Sequence, residues 1–258
     1  MNQVLETIER RRSVRKYSDK PIDSKEKETI LHACLRAPTA GNMMLYSIIE
    51  INDQALKDRL AVTCDNQPFI ATAPWVLLFL ADYQRWWDYY QVCKVKAYCE
   101  KKGLAYRTPS SGDMMLAVCD ALIAAQTAVL AAESLGIGSC YIGDILENYE
   151  EHRDLMQLPQ YVLPITMLCF GYPASTAEAP RKTSRFERDF IVFQDEYKRL
   201  ADKDFKRMFG PTEESYATSG WFKDGEKNIG QHNYQRKFIA NFSIEMTRSV
   251  KAMFKNWS

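Results

Sequence analysis

Between Asp113 and Gly136 the chain reads DMMLAVCDALIAAQTAVLAAESLG. This run is the longest and most apolar stretch of helical character in the sequence, and it predicts a central, buried helix over residues 113–135. Gly136 suits the position just past the end of such a helix, because glycine adopts left-handed backbone angles at little cost. The chain is therefore expected to fold around one long helix.

Shorter apolar runs on both sides of this helix predict the strands of a sheet. Residues 76–81 form an unbroken apolar run, which is typical of a strand covered on both faces. The other predicted strands are residues 46–51, 139–142 and 161–170. Further helices are predicted around residues 4–8, 24–37, 55–62, 83–102, 146–156 and 238–253. Long helices mixed with a few strands indicate the α+β class.

The composition is that of an ordinary globular protein. Hydrophobic residues make up 46% of the 258 and charged residues 26%, which excludes wholesale disorder. The 34 Lys and Arg nearly balance the 33 Asp and Glu, so that the formal net charge is +1. A protein whose main task is to bind duplex DNA or an anionic membrane would carry a much larger positive charge. We therefore expect neither nucleic acid nor a membrane as a partner.

The seven cysteines are scattered, and no two of them have the spacing CxxC. This pattern favours buried, small apolar side chains over a disulfide framework or a zinc site, and with them a reducing compartment. The first residues are not followed by the apolar core of a signal peptide. The apolar stretch from Ala73 to Ala81 is about half as long as a membrane helix. The sequence thus predicts a cytoplasmic protein without a metal site.

Two basic clusters have the composition of phosphate-binding segments. Residues 11–15 (RRSVR) place three cations and a hydroxyl close together, and arginine offers the charge-assisted, bidentate hydrogen bonds that a phosphate monoester favours. Residues 181–185 (RKTSR) form a second cluster far along the chain, and both could converge on one phosphate. Taken alone, each is more simply a solvated surface, and the first also fits a helix end or a nucleic-acid patch.

Two stretches of small and polar residues could lie against a flat ligand. Residues 38–42 (PTAGN) form a loop by composition, in which Asn42 offers both a hydrogen-bond donor and an acceptor. Residues 141–144 (YIGD) end a strand at Gly143, which has no side chain to keep an aromatic ring at a distance. An ordinary loop and a simple strand-to-loop turn suffice to explain these stretches when each is taken alone.

Taken in order, these stretches resemble the nitroreductase family of FMN-dependent NAD(P)H oxidoreductases, and within it the flavin-reductase branch. The resemblance runs through residues 8–17, 37–42, 65–70, 73–82, 120–138, 141–143 and 170–173. It implies the family's α+β fold, with a mixed, mostly antiparallel central sheet flanked by helices. It also implies an FMN-binding domain over residues 1–200 and a C-terminal extension, residues 201–258, that packs on a partner subunit.

The resemblance further implies a homodimer with FMN bound at the subunit interface. The residues it assigns to FMN are Arg11, Arg12, Ser13, Arg15, Pro38, Thr39, Asn42, Gln67, Tyr141, Ile142, Gly143, Arg181 and Arg185, with Lys182 as a substitute for either of the last two. The first cluster would hold the phosphate and ribityl oxygens, and Gln67 would hydrogen-bond the isoalloxazine or the ribityl chain. Residues 38–42 would reach the flavin from the partner subunit, and residues 141–143 would cover one ring face.

The implied activity is ping-pong hydride transfer from NADH or NADPH, through FMN, to a small aromatic acceptor such as a nitroaromatic, a quinone or a free flavin. The cofactor performs the electron chemistry, so no side chain is assigned a catalytic role. Asp144 stands where the family commonly has a glycine, and residues 43–46 (MMLY) depart from its usual pattern. Two alternatives stay open: a flavin-storing or flavin-sensing protein without activity, and a flavin-modifying enzyme from a side branch of the family.

Overall fold

The computed structural model describes residues 1–174, 183–223 and 225–258. Arg181 and Lys182, both predicted to bind phosphate, lie outside the described residues. The chain divides into two compact units, Met1–Ala177 together with Glu245–Ser258, and Glu178–Ile244. Of the predicted cofactor residues that are described, all but Arg185 belong to the first unit, which also contains the sheet.

The first unit combines one sheet with most of the helices. The strands are β1 (Tyr46–Glu50), β2 (Trp75–Asp82), β3 (Gly138–Ile142) and β4 (Val162–Gly171). The helices before the second unit are α1 (Gln3–Arg10), α2 (Ser24–Leu35), α3 (Gln54–Thr63), α4 (Gln84–Val92), α5 (Val95–Lys102), α6 (Ser111–Ser134) and α7 (Tyr149–Leu155). Those that follow are α8 (Asp202–Thr218), α9 (Ile229–Asn233) and α10 (Asn241–Trp257), of which α10 lies mostly in the first unit.

The four strands form one sheet in the order β1-β2-β4-β3, and neighbouring strands are antiparallel. A parallel bridge between Ser13 and Ser139 adds a further chain segment at the outer edge of β3. All of β2 is buried, as its unbroken apolar sequence predicts. The predicted α+β class, with a mixed, mostly antiparallel sheet flanked by helices, is confirmed.

Helix α6 lies in the core of the first unit and confirms the central, buried helix predicted from residues 113–135. Its buried face is mostly alanine, which lets the helix approach the sheet closely and pack against Trp75, Phe79 and Phe170. Gly136, with a φ of 76°, follows the end of the helix as predicted. Of the described helices, α6 alone has the length and hydropathy to cross a membrane, and its place against the sheet accounts for that composition.

Two helix predictions within the first unit are wrong in detail. Residues 83–102 form the two helices α4 and α5, because the backbone of Lys94 takes left-handed angles (φ 53°) between them. Residues 146–156 do not form one helix either, since a 3-10 turn is followed by Asn148 at φ 49° before α7 begins. Neither break contains a glycine or a proline, the residues that most clearly mark a break in a sequence.

The C-terminal part of the chain also departs from the prediction. Residues 234–238 form a π-helical turn, so the last helix begins at Asn241 rather than at residue 238. Helix α8 was not predicted, and no residue of it is buried. Met253 and Trp257 of α10 are buried among side chains of the first unit, including Tyr161.

The cysteines fit the prediction at five of seven positions. All seven lie in the described part of the chain and are unpaired; five are buried, whereas Cys93 and Cys119 are exposed. Burial raises the pKa of the Cys34 thiol to about 12, as expected for a thiol that serves as a small apolar side chain. Five of the cysteines thus contribute to the core.

Candidate functional site

The first basic cluster lies along the outer edge of β3. The backbone N of Val14 donates to the carbonyl oxygen of Ser139 at 2.9 Å, next to the bridge between Ser13 and Ser139. Gly138 permits this approach, because a Cβ atom on it would lie 2.5 Å from Cγ2 of Val14. Side chains alternate along an extended segment, so Val14 is buried while Ser13 and Arg15 are exposed.

The side chains of this cluster gather beside Cys140 of β3. Burial raises the pKa of the Cys140 thiol, while Arg15, Ser13 and Arg11 act in the opposite direction. Arg11 also opposes the burial that raises the pKa of Tyr141 to about 12. The positive charge therefore acts on the strand that leads to the predicted ring-face residues.

Arg10 differs from the arginines that follow it. Its Nε lies 3.2 Å from Oε1 of Glu133, and its Nη2 donates to the backbone oxygen of Glu133 at 3.0 Å. Across residues 1–174, 183–223 and 225–258, no carboxylate forms an ion pair with Arg11, Arg12 or Arg15. Neighbouring cations without counter-ions are the arrangement that a bound phosphate neutralises.

Gln67 links the loop after α3 to the end of β3. Its Nε2 donates to Oδ2 of Asp144 at 2.7 Å and to the backbone oxygen of Cys64 at 2.9 Å. The same loop meets the basic cluster, because the guanidinium carbon of Arg15 lies 5.8 Å from the ring centroid of Phe69. The structure thus brings Gln67 to the corner that holds residues 11–15.

Residues 141–143, which are predicted to cover one face of the flavin ring, differ in exposure. Tyr141 is half-buried and its hydroxyl donates to Oε1 of Gln126 at 3.1 Å, whereas Ile142 is buried. Gly143 is exposed, and a Cβ atom on it would meet nothing within 4 Å. Its φ of −77° does not require glycine, so what the residue provides is open space at the end of β3.

The loop of residues 38–42 is held by a carboxylate on α6. Asp120 is 2% exposed and accepts hydrogen bonds from the backbone N of Ala40 at 2.9 Å and of Leu45 at 3.0 Å. Asp120 lies in a resembling stretch, but sequence reasoning gave it no role. The signal that could have found it is a carboxylate in the middle of the long apolar helix, away from Asp113 and Glu133 near its ends.

The predicted residues of this loop differ in their hydrogen bonds and in their exposure. Thr39 Oγ1 accepts from the backbone N of Met44 at 3.2 Å, so Thr39 helps to close the loop. Gly41 and Asn42 both have a φ of 55°, and the side chains of Asn42 and Pro38 are exposed. In the described chain, no hydrogen bond or ion pair joins this loop to residues 11–15, Gln67 or residues 141–143.

The aromatic helix α4 packs against the far side of the loop. The indole Nε1 of Trp86 donates to the oxygen of Met43 at 2.8 Å, and Nη1 of Arg85 donates to the oxygen of Met44 at 3.0 Å. These bonds hold the stretch 43–46, which is expected to depart from the family pattern, by partners within the same chain.

Glu147 is a buried carboxyl near the site that sequence reasoning missed. It is 5% exposed, and its Oε1 has no hydrogen-bond partner among the described residues. Burial, reinforced by the charges of Asp144, Asp65 and Glu245, raises the pKa of Glu147 to about 7. No sequence signal separates it from the exposed acids around it.

Arg185 belongs to the second unit. It is exposed, and its Nη1 donates to the backbone oxygen of Ser184 at 3.1 Å. Its convergence with residues 11–15, like that of Arg181 and Lys182, stays a prediction.

The Nitroreductase family model matches residues 8–172, which include the basic cluster, Gln67 and the end of β3. The chain belongs to the nitroreductase family. The oxygen-insensitive NADPH nitroreductase of Salmonella typhimurium is 32% identical over 220 residues, which cover 85% of each chain. The FMN reductase (NADPH) of Bacillus subtilis is 29% identical over 231 residues, covering 84% of this chain and 89% of the relative. The crystal structure of nitroreductase A from Vibrio parahaemolyticus has a TM-score of 0.77 at 25% identity, with 98% of both chains covered.

Membership of the nitroreductase family makes this chain an FMN-dependent NAD(P)H oxidoreductase. The residues present fit FMN by their chemistry. Three arginines that have no carboxylate partner among the described residues suit its phosphate, and the end of β3 at Gly143 is open enough for a flat ring to approach.

Proposed function

We propose that this nitroreductase transfers hydride from NADH or NADPH, through FMN, to a small aromatic acceptor such as a nitroaromatic, a quinone or a free flavin. Two similar proteins carry the names NADPH nitroreductase and FMN reductase, which supports this range of acceptors. The observation that carries the cofactor site is the row of arginines held against the edge of β3, which form no ion pair within the described part of the chain. Bound FMN would supply the electron chemistry, and the protein would bind and orient it.

The proposed roles of the residues follow from their chemistry. Arg11, Arg12, Ser13 and Arg15 bind the phosphate and ribityl oxygens, with a further cation from residues 181–185. Gln67 hydrogen-bonds the isoalloxazine or the ribityl chain. Residues 141–143 cover one face of the ring, with a backbone N–H directed at the ring edge. None of these steps needs an acid or base side chain.

We also propose a homodimer that is built on α6. The side of α6 away from the sheet exposes a stripe of large apolar side chains at helical spacing, each between 41% and 52% exposed: Met115, Leu116, Leu122 and Ile123. Asp120 ties the loop of residues 38–42 to the same helix. A partner that covers this stripe would therefore meet the loop, which supports its assignment to the partner's flavin.

The C-terminal extension, residues 201–258, is proposed to add to the subunit contact through its exposed apolar side chains. Phe238 is 71% exposed and Ile244 is 60% exposed. Large apolar side chains so close in sequence suit a surface that a second subunit covers.

An anaerobic titration of the purified protein tests the activity. The protein should be yellow or take up FMN on reconstitution, and the flavin absorbance near the visible maximum should bleach when NADH or NADPH is added. Addition of a quinone or a nitroaromatic should restore the colour. A protein that binds no FMN would refute the proposal, and bound flavin that neither nicotinamide bleaches would support storage of flavin instead.

A further inference from the structure

The side-chain amide of Gln67 has no hydrogen-bond donor left for a ligand. Its nitrogen carries two hydrogens, and both are used, one by Oδ2 of Asp144 at 2.7 Å and one by the backbone oxygen of Cys64 at 2.9 Å. A backbone carbonyl and an ionised carboxylate can only accept, so the amide cannot be turned around without losing both bonds. The oxygen Oε1 accepts no hydrogen bond from any described residue, and it is the part of Gln67 that a ligand can reach.

We propose that Asp144 is a positioning residue that fixes Gln67 as a hydrogen-bond acceptor toward FMN. This inference rests on the proposed FMN site. It deepens that proposal, because a fixed acceptor can bind only the hydrogen-bond donors of the flavin. An amide that is free to rotate could also donate to the flavin's acceptors.

The chemistry of the flavin limits what Gln67 can contact. The oxidised ring carries one N–H donor, at N3, and its other ring heteroatoms and carbonyl oxygens accept. The remaining donors are the ribityl hydroxyls. An acceptor held by Asp144 therefore selects a flavin that presents either the N3–H or the 2′-hydroxyl, the ribityl hydroxyl nearest the ring, and it disfavours the ring carbonyls.

The position of Asp144 in the chain supports this role. It follows the open Gly143 and begins the 3-10 turn Asp144–Leu146, so the turn holds its carboxylate facing the loop after α3. A hydrogen bond to a carboxylate is stronger than one to a neutral acceptor, which favours a single orientation of the amide. A residue without a side-chain acceptor at this position would leave one N–H of Gln67 free.

Binding measurements with flavin analogues test the inference. The dissociation constants of FMN, of FMN methylated at N3 and of 2′-deoxy-FMN are measured for the wild type and for Asp144→Ala, Asp144→Asn and Gln67→Ala. In the wild type we expect one of the analogues to bind about 10-fold more weakly than FMN, as the loss of one hydrogen bond implies. In Asp144→Ala and in Gln67→Ala this preference should fall to within about 3-fold.

Asp144→Asn and the additional variant Arg12→Ala separate positioning from other effects. Asp144→Asn keeps an oxygen that can accept from Gln67, so it should retain the preference for FMN over the analogue although the charge is gone. Arg12→Ala should weaken FMN and both analogues equally, because it acts at the phosphate end. Asp144→Leu also lacks an acceptor, and it replaces Asp144→Ala if that variant does not fold.

The outcomes distinguish this inference from the proposed function. A wild type that binds FMN without discriminating against either analogue would overturn the role of Asp144 and leave the FMN site intact. The same holds if Asp144→Ala discriminates as strongly as the wild type. A wild type that binds no flavin at all would overturn the FMN site itself.

Discussion

The carboxylate of Asp120 holds the loop of residues 38–42 from inside the protein. It accepts from the backbone N of Ala40 at 2.9 Å and from that of Leu45 at 3.0 Å, so one side chain holds both the loop and the residue that precedes β1. Asp120 belongs to α6, the helix that also packs against the sheet. The conformation of a proposed cofactor loop is thus set by the core helix.

Replacing Asp120 by asparagine should loosen this loop. The amide can accept at one oxygen only, so one of the two backbone N–H groups loses its partner, and we expect the protein to be destabilised by about 1–3 kcal/mol. FMN affinity should fall with the loss of order in the loop. Urea unfolding of the apoprotein and FMN titration measure the two effects. Asp53→Ala is the control, because it removes an N-cap hydrogen bond to the backbone N of Leu56, far from the loop. That bond is worth about 1 kcal/mol. Equal losses of FMN affinity in both variants would contradict a specific role of Asp120.

Arg12→Ala should weaken FMN by roughly 10- to 150-fold, since a hydrogen bond to a charged group is worth about 1.5–3 kcal/mol. Riboflavin, which lacks the phosphate, should bind the variant and the wild type with similar affinity. The neighbouring Arg10→Ala is a matched control, because Glu133 already occupies the guanidinium of Arg10. Calorimetric titration with both flavins checks the prediction, and an equal loss for FMN and riboflavin would place Arg12 away from the phosphate.

Gly138→Ala should force the basic cluster away from β3. The added Cβ would lie 2.5 Å from Cγ2 of Val14, and overpacking of this kind costs about 1–3 kcal/mol. Val14→Gly in the same chain removes that methyl group together with the Cβ of Val14, which would lie 2.8 Å from the added atom, and it should recover much of the lost FMN affinity. Gly112→Ala serves as the control, because a Cβ on that residue meets nothing within 4 Å. Thermal unfolding and FMN titration of the wild type and the three variants measure the effect. A Gly138→Ala variant that behaves like Gly112→Ala would contradict the prediction.

The raised pKa of Glu147 makes stability depend on pH. Between the usual value of 4.5 and about 7, folded Glu147 keeps a proton that the unfolded chain has released, so this group lowers the free energy of unfolding as pH rises through that range. Glu147→Gln should remove this loss, which amounts to at most about 3 kcal/mol. Urea unfolding at pH 5 and pH 8 (roughly either side of the upper value) measures it.

Glu150→Gln provides the comparison of opposite sign. Arg248 lowers the pKa of Glu150 to about 2, so its stabilisation is present above 4.5 and disappears only as pH falls toward 2. Between pH 5 and 8 (roughly the range tested) Glu150→Gln should therefore shift stability by a nearly constant amount. A Glu147→Gln variant with the pH slope of the wild type would show that Glu147 ionises normally.

Ile123→Asp should separate the proposed dimer. Ile123 is 41% exposed on α6, so an aspartate there is tolerated by a single chain but not in an apolar contact between two. Sedimentation should show a dimer for the wild type and a monomer for the variant. Leu155→Asp, at an equally exposed position on α7, should leave the association unchanged. A variant that sediments like the wild type would remove α6 from the contact.

The sequence predicts best those elements whose own residues require burial or form a helix cap. The apolar run of β2 is buried along its whole length and the alanine-rich face of α6 is buried against the sheet, so both elements lie where they are predicted. The start of α2 is visible as Asp23 followed by Glu26, and the two residues form a capping box in the structure. The breaks at Lys94 and Asn148 are not visible, because their left-handed backbone depends on packing rather than on a glycine.

The site is harder to predict because its contacts join distant parts of the chain. Gln67 could be recognised by resemblance, but its bond to Asp144 crosses 77 residues and follows from how α3 and β3 are placed. Glu147 illustrates the same limit, since its pKa depends on burial, on nearby Asp144 and on the carboxylates of Asp65 and Glu245, which are distant in sequence. Residue types indicate the chemistry of the site, whereas its electrostatics need the assembled fold.

The pairing of Ser13 and Val14 with Ser139 has a consequence for the behaviour of the protein in a crowded solution. An outer strand with free backbone groups invites other chains to add to it, and this segment occupies that position on β3. The residues proposed to bind FMN are therefore carried by the same piece of chain that protects this edge of the sheet against aggregation. Selection that maintains one of these properties preserves the other.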